Sequence, residues 1–416
     1  MGKMKQVLMV FAMLLLACAF LLSQPAYAEK KLYIGGSMAL TGPYAEDVAA
    51  ILAAFEDYAK YVNETKMVAP WGEKLPADIS WEVLWRDDEL KPVKALSVYE
   101  ELKNKGMLVF RISGSPQALA LKDKLFQDKM GATSMTSGAF LMKPPQTIFT
   151  HYPIYTDHLA AIADWFKENW KENRKPRVAY LTADNALGKS IEIPEMEAYL
   201  KKIGYDFIGS QYVPLVAVSA PTTQLMWLKE KKVDLALGAM VQPGSQPTIK
   251  EAVRLDMGPH LGTKITFGFA SPSHLQVMVP AMGELANGVV VAGSYPAWDD
   301  MSSPGIKFAH DLLDRYRSGK QMTPMGYVIG VIEGITQVEA LRLTLKEVPF
   351  EKLTRADVLN LGFYKIKNLN TGGLTATPLT YGPGKIEGTD HVLVQQAQKG
   401  KIVKLGVWPC RGIYDH

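Results

Sequence analysis

Three short stretches carry small and hydroxyl-bearing residues of the kind that could hold a small anion: SMALTGPYA (37–45), SGSPQ (113–117) and SMTSGA (134–139). Each follows an apolar run and precedes a helical pattern, so each is expected at a strand end and a helix start. Ser and Thr hydroxyls donate and accept hydrogen bonds, and glycine lets a ligand approach the backbone. Each stretch alone could be a plain helix cap. Three together favour a site for a carboxylate or amide, because helix N-termini offer unpaired N–H groups.

A second motif, ADNALGKS (183–190), differs from a phosphate-binding Walker A loop only by Ala183 in place of the first glycine. In a functional loop Lys189 and Ser190 would contact phosphate and metal. Ala183 resists the tight turn that glycine permits, and Asp184 places a negative charge where a polyphosphate would lie. The residues therefore favour a plain strand–helix turn, and a cleft enzyme that uses residues 183–190 stays as an alternative.

Other enzyme classes find no support in the sequence. The seven histidines form no HxH or HExxH motif, the two cysteines cannot make a Cys-rich zinc site, and no GxSxG elbow occurs. We expect no metal and no cofactor, and we expect His151 and His158 at the surface or at helix caps.

The elements that must position these residues alternate between strand and helix. Predicted strands occupy 32–36, 79–85, 107–110 and 132–135, and again 177–181, 207–213, 233–237 and 265–267, with helices such as 45–63, 191–203 and 247–255 between them. This order predicts an α/β fold with two doubly wound parallel sheets. Two further runs, 391–397 and 401–407, flank Lys399-Gly400 and predict a C-terminal hairpin.

Length and composition are those of an ordinary globular protein. The chain has 416 residues, of which 48% are hydrophobic and 21% charged, so two or three domains are expected. The net charge of +4 is small and no Lys/Arg block concentrates it. Nucleic acid is therefore not expected as a partner.

The N-terminus has the features of a cleaved export signal. Lys3 and Lys5 precede an apolar run at 7–22, and Ala-Tyr-Ala at 26–28 is a small-x-small cleavage site. We expect a signal peptide over 1–28 and a soluble protein exported to the periplasm. A membrane anchor is the alternative, and the residues before Cys18 loosely fit a lipoprotein box, which would give a lipid-anchored form.

Three segments carry a family resemblance: YIGGSMALTGPYA (33–45), WRDDELKPVKAL (85–96) and TPLTYGPGKIEGTDHVLVQQAQKGKIV (377–403). In this order and spacing the chain resembles the type I periplasmic solute-binding proteins of ABC transporters, and specifically the branched-chain amino-acid group.

The resemblance implies two lobes joined by a three-crossover hinge, which close on a ligand like a flytrap. Lobe 1 would take 29–152 and 295–378, and lobe 2 would take 153–294 and 379–416. It also implies delivery of a small-molecule ligand to an inner-membrane ABC permease and no enzymatic activity. A sensory module that reports occupancy to a receptor is a further alternative.

The resemblance also implies the site. The expected ligand-binding residues are Tyr44, Ser113, Gly114, Ser115, Thr136, Ser137 and Gly138 from lobe 1, and Asp184, Leu187, Gln242 and Ser271 from lobe 2, which would set specificity. The default ligand is a branched-chain or other apolar amino acid. The family's acidic partner for the ligand ammonium is missing near Ala270 and Ser271, so a carboxylate or amide without an ammonium is the alternative.

Overall fold

The computed structural model describes residues 30–214, 220–258, 265–271, 273–293, 295–318 and 320–414. The predicted signal peptide and Cys18 lie outside these ranges. None of the helices in the described part of the chain combines the length and apolar character that a bilayer crossing requires.

The chain alternates strands and helices through most of its length. The strands are β1 (Lys30–Met38), β2 (Ile79–Asp87), β3 (Val109–Ile112), β4 (Gly131–Ser134), β5 (Ile148–Thr150), β6 (Arg177–Ala183), β7 (Asp206–Val213), β8 (Leu235–Ala239), β9 (Thr266–Ala270), β10 (Val290–Gly293), β11 (His391–Gln398) and β12 (Lys401–Pro409). The α-helices of four or more residues in the described ranges are α1 (Ala45–Thr65), α2 (Pro92–Asn104), α3 (Ser115–Gln127), α4 (Tyr155–Asn169), α5 (Ala186–Lys189), α6 (Pro194–Lys202), α7 (Thr222–Glu230), α8 (Gln242–Arg254), α9 (Leu275–Met282), α10 (Pro304–Arg317) and α11 (Pro324–Leu345).

The first lobe is built on β1–β5. Strands β1 and β2 pair in parallel, and β3, β4 and β5 pair in parallel in that order. Gly36 of β1 lies against β3 so closely that an added Cβ would be 2.3 Å from the Arg111 amide nitrogen. Because parallel strands end at the same edge, the loops after β1, β3 and β4 meet there.

A helix from far along the chain completes the core of the first lobe. Helix α11 is apolar on almost all sides and packs against α1. Three of its glycines, spaced four residues apart, permit this close approach, because a side chain at any of them would clash with α1. An added Cβ would lie 2.3 Å from the Asp47 carbonyl oxygen at Gly326, 2.5 Å from the Ile51 oxygen at Gly330, and 2.7 Å from the Tyr58 ring at Gly334.

The second lobe is a seven-stranded sheet in the order β12-β11-β10-β9-β8-β6-β7. Strands β6–β10 are mutually parallel, whereas β11 pairs antiparallel with both β10 and β12. The predicted C-terminal hairpin is therefore present, and it extends the sheet beyond β10.

The chain passes between the lobes along a short seam. The Thr150 amide donates to the Ile386 oxygen, and the Gly388 amide donates to the Thr150 oxygen, both bonds within 2.9 Å. The residue boundaries of the two lobes, 29–152 with 295–378 and 153–294 with 379–416, stay a prediction.

The predicted α/β class with parallel-sheet lobes is confirmed. Several boundaries differ: α8 begins at Gln242 and not at 247, since Pro243 occupies its first turn, where a missing N–H is tolerated. Strand β3 runs from Val109 to Ile112 and not over 107–110. The sequence pattern also missed β5, α9, β10 and α10.

Candidate functional site

Loops from the carboxyl edge of the first lobe enclose a small cavity. It is lined by Tyr44, Ser113, Gly114, Ser115, Met135, Thr136, Tyr155 and Leu187. The free space is about 10 Å³, which is room for roughly one water molecule. Leu187 of the second lobe and the loops of the first lobe meet around this space, so a larger ligand needs them to separate.

One wall of the cavity is a helix N-terminus. Gly114 is the extended residue before α3, and its carbonyl accepts from the Ala118 amide at 2.9 Å. The first-turn N–H groups of a helix have no partner within the helix, and they carry partial positive charge. The Ser115 hydroxyl bonds the Thr136 hydroxyl across the cavity wall. Pro116 in this first turn has no N–H, so the donors that the wall offers an anion are the other first-turn amides and the two hydroxyls.

Two tyrosine hydroxyls face the same space. Burial raises the pKa of Tyr44, and the nearby Tyr155 adds to this shift. Burial also raises the pKa of Tyr155, although a hydrogen bond with Thr136 opposes it. The Tyr155 hydroxyl lies 3.4 Å from the Met135 carbonyl oxygen. Both phenols are thus neutral donors near pH 7.

The hydroxyl of Ser113 is already committed within the protein. It accepts from the Ala39 amide at 2.8 Å and from Arg111 Nη1 at 3.0 Å, and it donates to the Ser37 carbonyl oxygen at 3.0 Å. A hydroxyl has one donor and two acceptor positions, so all are filled. Ser113 can offer a ligand only its backbone.

Ser137 and Gly138 lie beside the cavity and do not line it. The Ser137 hydroxyl donates to the Pro153 carbonyl at 2.9 Å, and its own carbonyl accepts from the Tyr155 amide at 2.9 Å. At Gly138 an added Cβ would lie 3.0 Å from Ser190 Cβ, on the second lobe. These two residues fix the loop and the contact between lobes.

Of the residues predicted from the second lobe, only Leu187 reaches the cavity. Asp184 is more than half exposed and its Oδ1 lies 2.7 Å from Lys189 Nζ. The Gly188 amide donates to Asn185 Oδ1 at 3.0 Å, and an added Cβ at Gly188 would lie 1.8 Å from the Ala183 carbonyl oxygen. Residues 183–190 are therefore a tight strand–helix turn whose lysine is paired with its own aspartate.

Gln242 and Ser271 lie together but outside the cavity lining. Gln242 Nε2 donates to the His274 carbonyl oxygen at 3.0 Å, and Ser271 Oγ lies 3.4 Å from His274 Nδ1. The structure thus groups these two residues around His274, beyond the carboxyl ends of β8 and β9 in the seven-stranded sheet.

The expectation of surface or capping histidines is wrong for His151 and His158. Both are buried, together with His274, in a cluster that includes Tyr152 and Tyr295. Burial lowers the pKa of all three histidines to about 3. The cause is the packing of the seam against α4 and α9, which helical spacing along one segment does not reveal.

The sequence prediction missed two lining residues, Met135 and Tyr155. Met135 directly precedes the predicted Thr136, and Tyr155 opens α4 directly after the seam. An aromatic residue at the start of the helix after β5 was the available signal.

No Asp, Glu, Lys, Arg or His side chain lines the cavity. Within the described ranges, no three His, Cys, Asp or Glu side chains are grouped as metal ligands would be. The site offers hydroxyls, helix amides and apolar surface from Met135 and Leu187.

Comparison with known proteins identifies one family and many solved structures with a similar fold. A family model described as "Periplasmic binding protein" matches residues 31–404. A search of curated proteins finds no match.

Solved structures similar to this chain cover most of its length. A branched-chain amino acid ABC transporter protein from Thermus thermophilus with bound valine has a TM-score of 0.80 at 19% identity, and the match covers 93% of this chain and 98% of that chain. A fatty acid ABC transporter substrate-binding protein from Thermomonospora curvata has a TM-score of 0.75 at 18% identity, covering 93% and 94%. A solute-binding protein from Rhodopseudomonas palustris BisB5 in complex with 3,4-dihydroxybenzoic acid has a TM-score of 0.71 at 20% identity, covering 92% and 98%.

Proposed function

This chain belongs to the periplasmic binding protein family, and from that premise we propose that it is the extracytoplasmic solute-binding component of an ABC importer. It captures a small carboxylate between its two lobes and presents it to an inner-membrane permease. The protein acts in the periplasm and binds its solute without chemical change.

One observation supports the ligand class: the cavity is lined by hydroxyls and a helix N-terminus and by no ionised side chain. A carboxylate head group suits this wall, because it accepts hydrogen bonds from Ser115, Thr136 and the amides of α3. Leu187 and Met135 would contact the apolar part of the ligand.

An amino acid fits this cavity less well than a carboxylate without nitrogen. Its ammonium would be buried without a carboxylate partner, which costs several kcal/mol. The acid that the resemblance places at the site from the second lobe, Asp184, is exposed and pairs with Lys189. The structural relatives are named with valine, fatty acid and dihydroxybenzoic acid as ligands, so the fold accommodates each class.

Binding proceeds by closure of the two lobes. Leu187 is the residue of the second lobe that completes the cavity. An ion pair between Lys143 and Glu195 also joins the two lobes. A ligand that contacts both lobes favours the closed state. The cavity is too small for such a ligand as it stands, so entry requires opening.

A thermal-shift screen with matched pairs tests the ligand class. Leucine is compared with 4-methylpentanoate, and phenylalanine with 3-phenylpropanoate, so that each pair differs by the ammonium alone. A ligand at 100 times its Kd adds about 2.7 kcal/mol to stability, so a binder raises Tm with concentration. We expect shifts from the acids lacking nitrogen. Shifts from the amino acids alone would establish the amino-acid ligand instead.

A further inference from the structure

A fully buried cation lies one side-chain layer behind the cavity. Arg111 on β3 has no solvent exposure. Its Nη1 donates to Ser113 Oγ at 3.0 Å and to the Ser37 carbonyl at 3.3 Å, and its Nη2 lies 3.4 Å from Met135 Sδ. Ser113 and Met135 both line the cavity.

The counter-charge of Arg111 is on the far side of the guanidinium. Arg111 Nε donates to Glu333 Oε2 at 3.0 Å, and Glu333 belongs to α11 in the core of the lobe. Glu333 is 1% exposed, and its Oε1 has no hydrogen-bond partner in the described part of the chain. The pair therefore forms a dipole whose positive end faces the loops of the site.

The field of Arg111 acts on the groups around it. It adds to the lowering of the pKa of His151, which is caused first by burial. It also opposes the rise in the pKa of Asp88, which again is caused first by burial. Asp88 is the second buried carboxyl near these loops, and its oxygens accept from Ser37, Gln117 and the Leu90 amide. Arg111 thus disfavours a positive charge and favours a negative one in its surroundings.

We propose that Arg111 sets the preference of this cavity for anionic over neutral head groups without touching the ligand. Glu333 limits that preference by compensating part of the charge. Arg111 is in this sense a positioning and specificity residue, an assignment that rests on the carboxylate ligand proposed above.

Three variants test this role, with 4-methylpentanoate and its amide 4-methylpentanamide as probes. Glu333→Gln removes the counter-charge and should raise the preference for the acid over the amide. The double variant Arg111→Met/Glu333→Leu removes both charges and should lower it. The Glu333→Gln change is expected to be roughly tenfold in the ratio of the two Kd values, as for a unit charge beyond Arg111 at an effective dielectric constant of about 20. The double-variant change should be smaller and in the opposite direction, because two opposite charges are lost together. The double variant is chosen because apolar replacement of a buried pair usually preserves folding.

The control is Glu339→Gln on the same helix. Glu339 is also largely buried, and its Oε2 accepts from Arg342 Nε at 2.6 Å, away from the cavity. This variant should leave the Kd ratio unchanged. A purely structural role for Arg111 would change both Kd values together.

The outcomes separate this inference from the proposed function. If the wild type binds the acid and neither charge variant shifts the ratio, the role of Arg111 is wrong and the proposed function stands. If the wild type binds neither 4-methylpentanoate nor 3-phenylpropanoate in the screen, the proposed carboxylate function fails, and the role of Arg111 fails with it.

Discussion

Two serines that are two positions apart should respond in opposite ways to the same substitution. The Ser113 hydroxyl has all three of its hydrogen-bonding positions filled by protein groups. The Ser115 hydroxyl bonds only that of Thr136 among the described residues, at the cavity wall. The changes are Ser113→Ala and Ser115→Ala, each the loss of one oxygen.

Ser113→Ala should reduce stability. It leaves the Ala39 amide and one Arg111 donor without an acceptor in a buried place, and a buried unsatisfied donor costs about 1–3 kcal/mol. We expect a loss of about 2–3 kcal/mol in the free energy of unfolding of the first lobe, with little change in Kd.

Ser115→Ala should reduce affinity. Its hydroxyl can donate to a bound carboxylate, and a hydrogen bond to a charged group contributes about 1.5–3 kcal/mol. That corresponds to a Kd raised by at least about tenfold. The free energy of unfolding without ligand should change by less than about 1 kcal/mol, because only a hydroxyl–hydroxyl contact is lost.

Urea denaturation of the ligand-free variants measures the free energy of unfolding. Calorimetric titration with the acid that gives the largest shift in the screen measures Kd. The reasoning is refuted if Ser113→Ala weakens binding as much as Ser115→Ala while both leave stability unchanged. Ser113 would then contact the ligand, and its bonds in the closed structure would not persist on binding.

Three other perturbations probe closure and burial. Leu187→Ala should weaken binding by about 2–3 kcal/mol, the value of one buried leucine, and should also lower ligand-free stability, because Leu187 is 3% exposed in this structure. Leu225→Ala inside the second lobe should lower stability and leave binding nearly unchanged; a loss of affinity in Leu225→Ala equal to that in Leu187→Ala would contradict this. Lys143→Ala removes the ion pair with Glu195 and should weaken binding by less than about tenfold. The loss of affinity should be larger at low salt than at high salt, because salt screens an exposed pair. A loss that titration shows to be independent of salt would contradict this. Burial keeps His158 neutral with a pKa of about 3, as it does His151 and His274, so the contribution of each histidine to stability should be full above pH 6.5 and fall by up to about 1.4 kcal/mol per pH unit between pH 6.5 and 3. His158→Phe should reduce the slope of that part of the curve by about one third when measured by urea denaturation, and an unchanged slope would contradict the contribution of His158.

Much of the fold could be predicted because it is local. Short apolar runs predicted strands that are buried along nearly their whole length, such as β6 and β8. Strand β5 has only three residues and α9 contains Pro280, so neither gives a clear periodic pattern. Their formation depends on neighbours that are distant in the sequence.

The site was predictable only in part, for a similar reason. Residue types and loop position indicated the loops that carry Ser115 and Thr136, and the family resemblance implied Leu187. They could not show that the Ser113 hydroxyl is taken up by Ala39 and Arg111, because those bonds depend on how three strands pack. Nor does any spacing connect Arg111 with Glu333, which are 222 positions apart.

The late position of α11 in the chain has a consequence for biosynthesis. The core of the first lobe needs a helix at Pro324–Leu345 against one at Ala45–Thr65, and the second sheet needs the strands at His391–Gln398 and Lys401–Pro409. A nascent chain that has left the ribosome only as far as residue 300 can therefore complete neither half. Contacts at such separation are slow to form, and neither lobe is complete until these late elements have been synthesised.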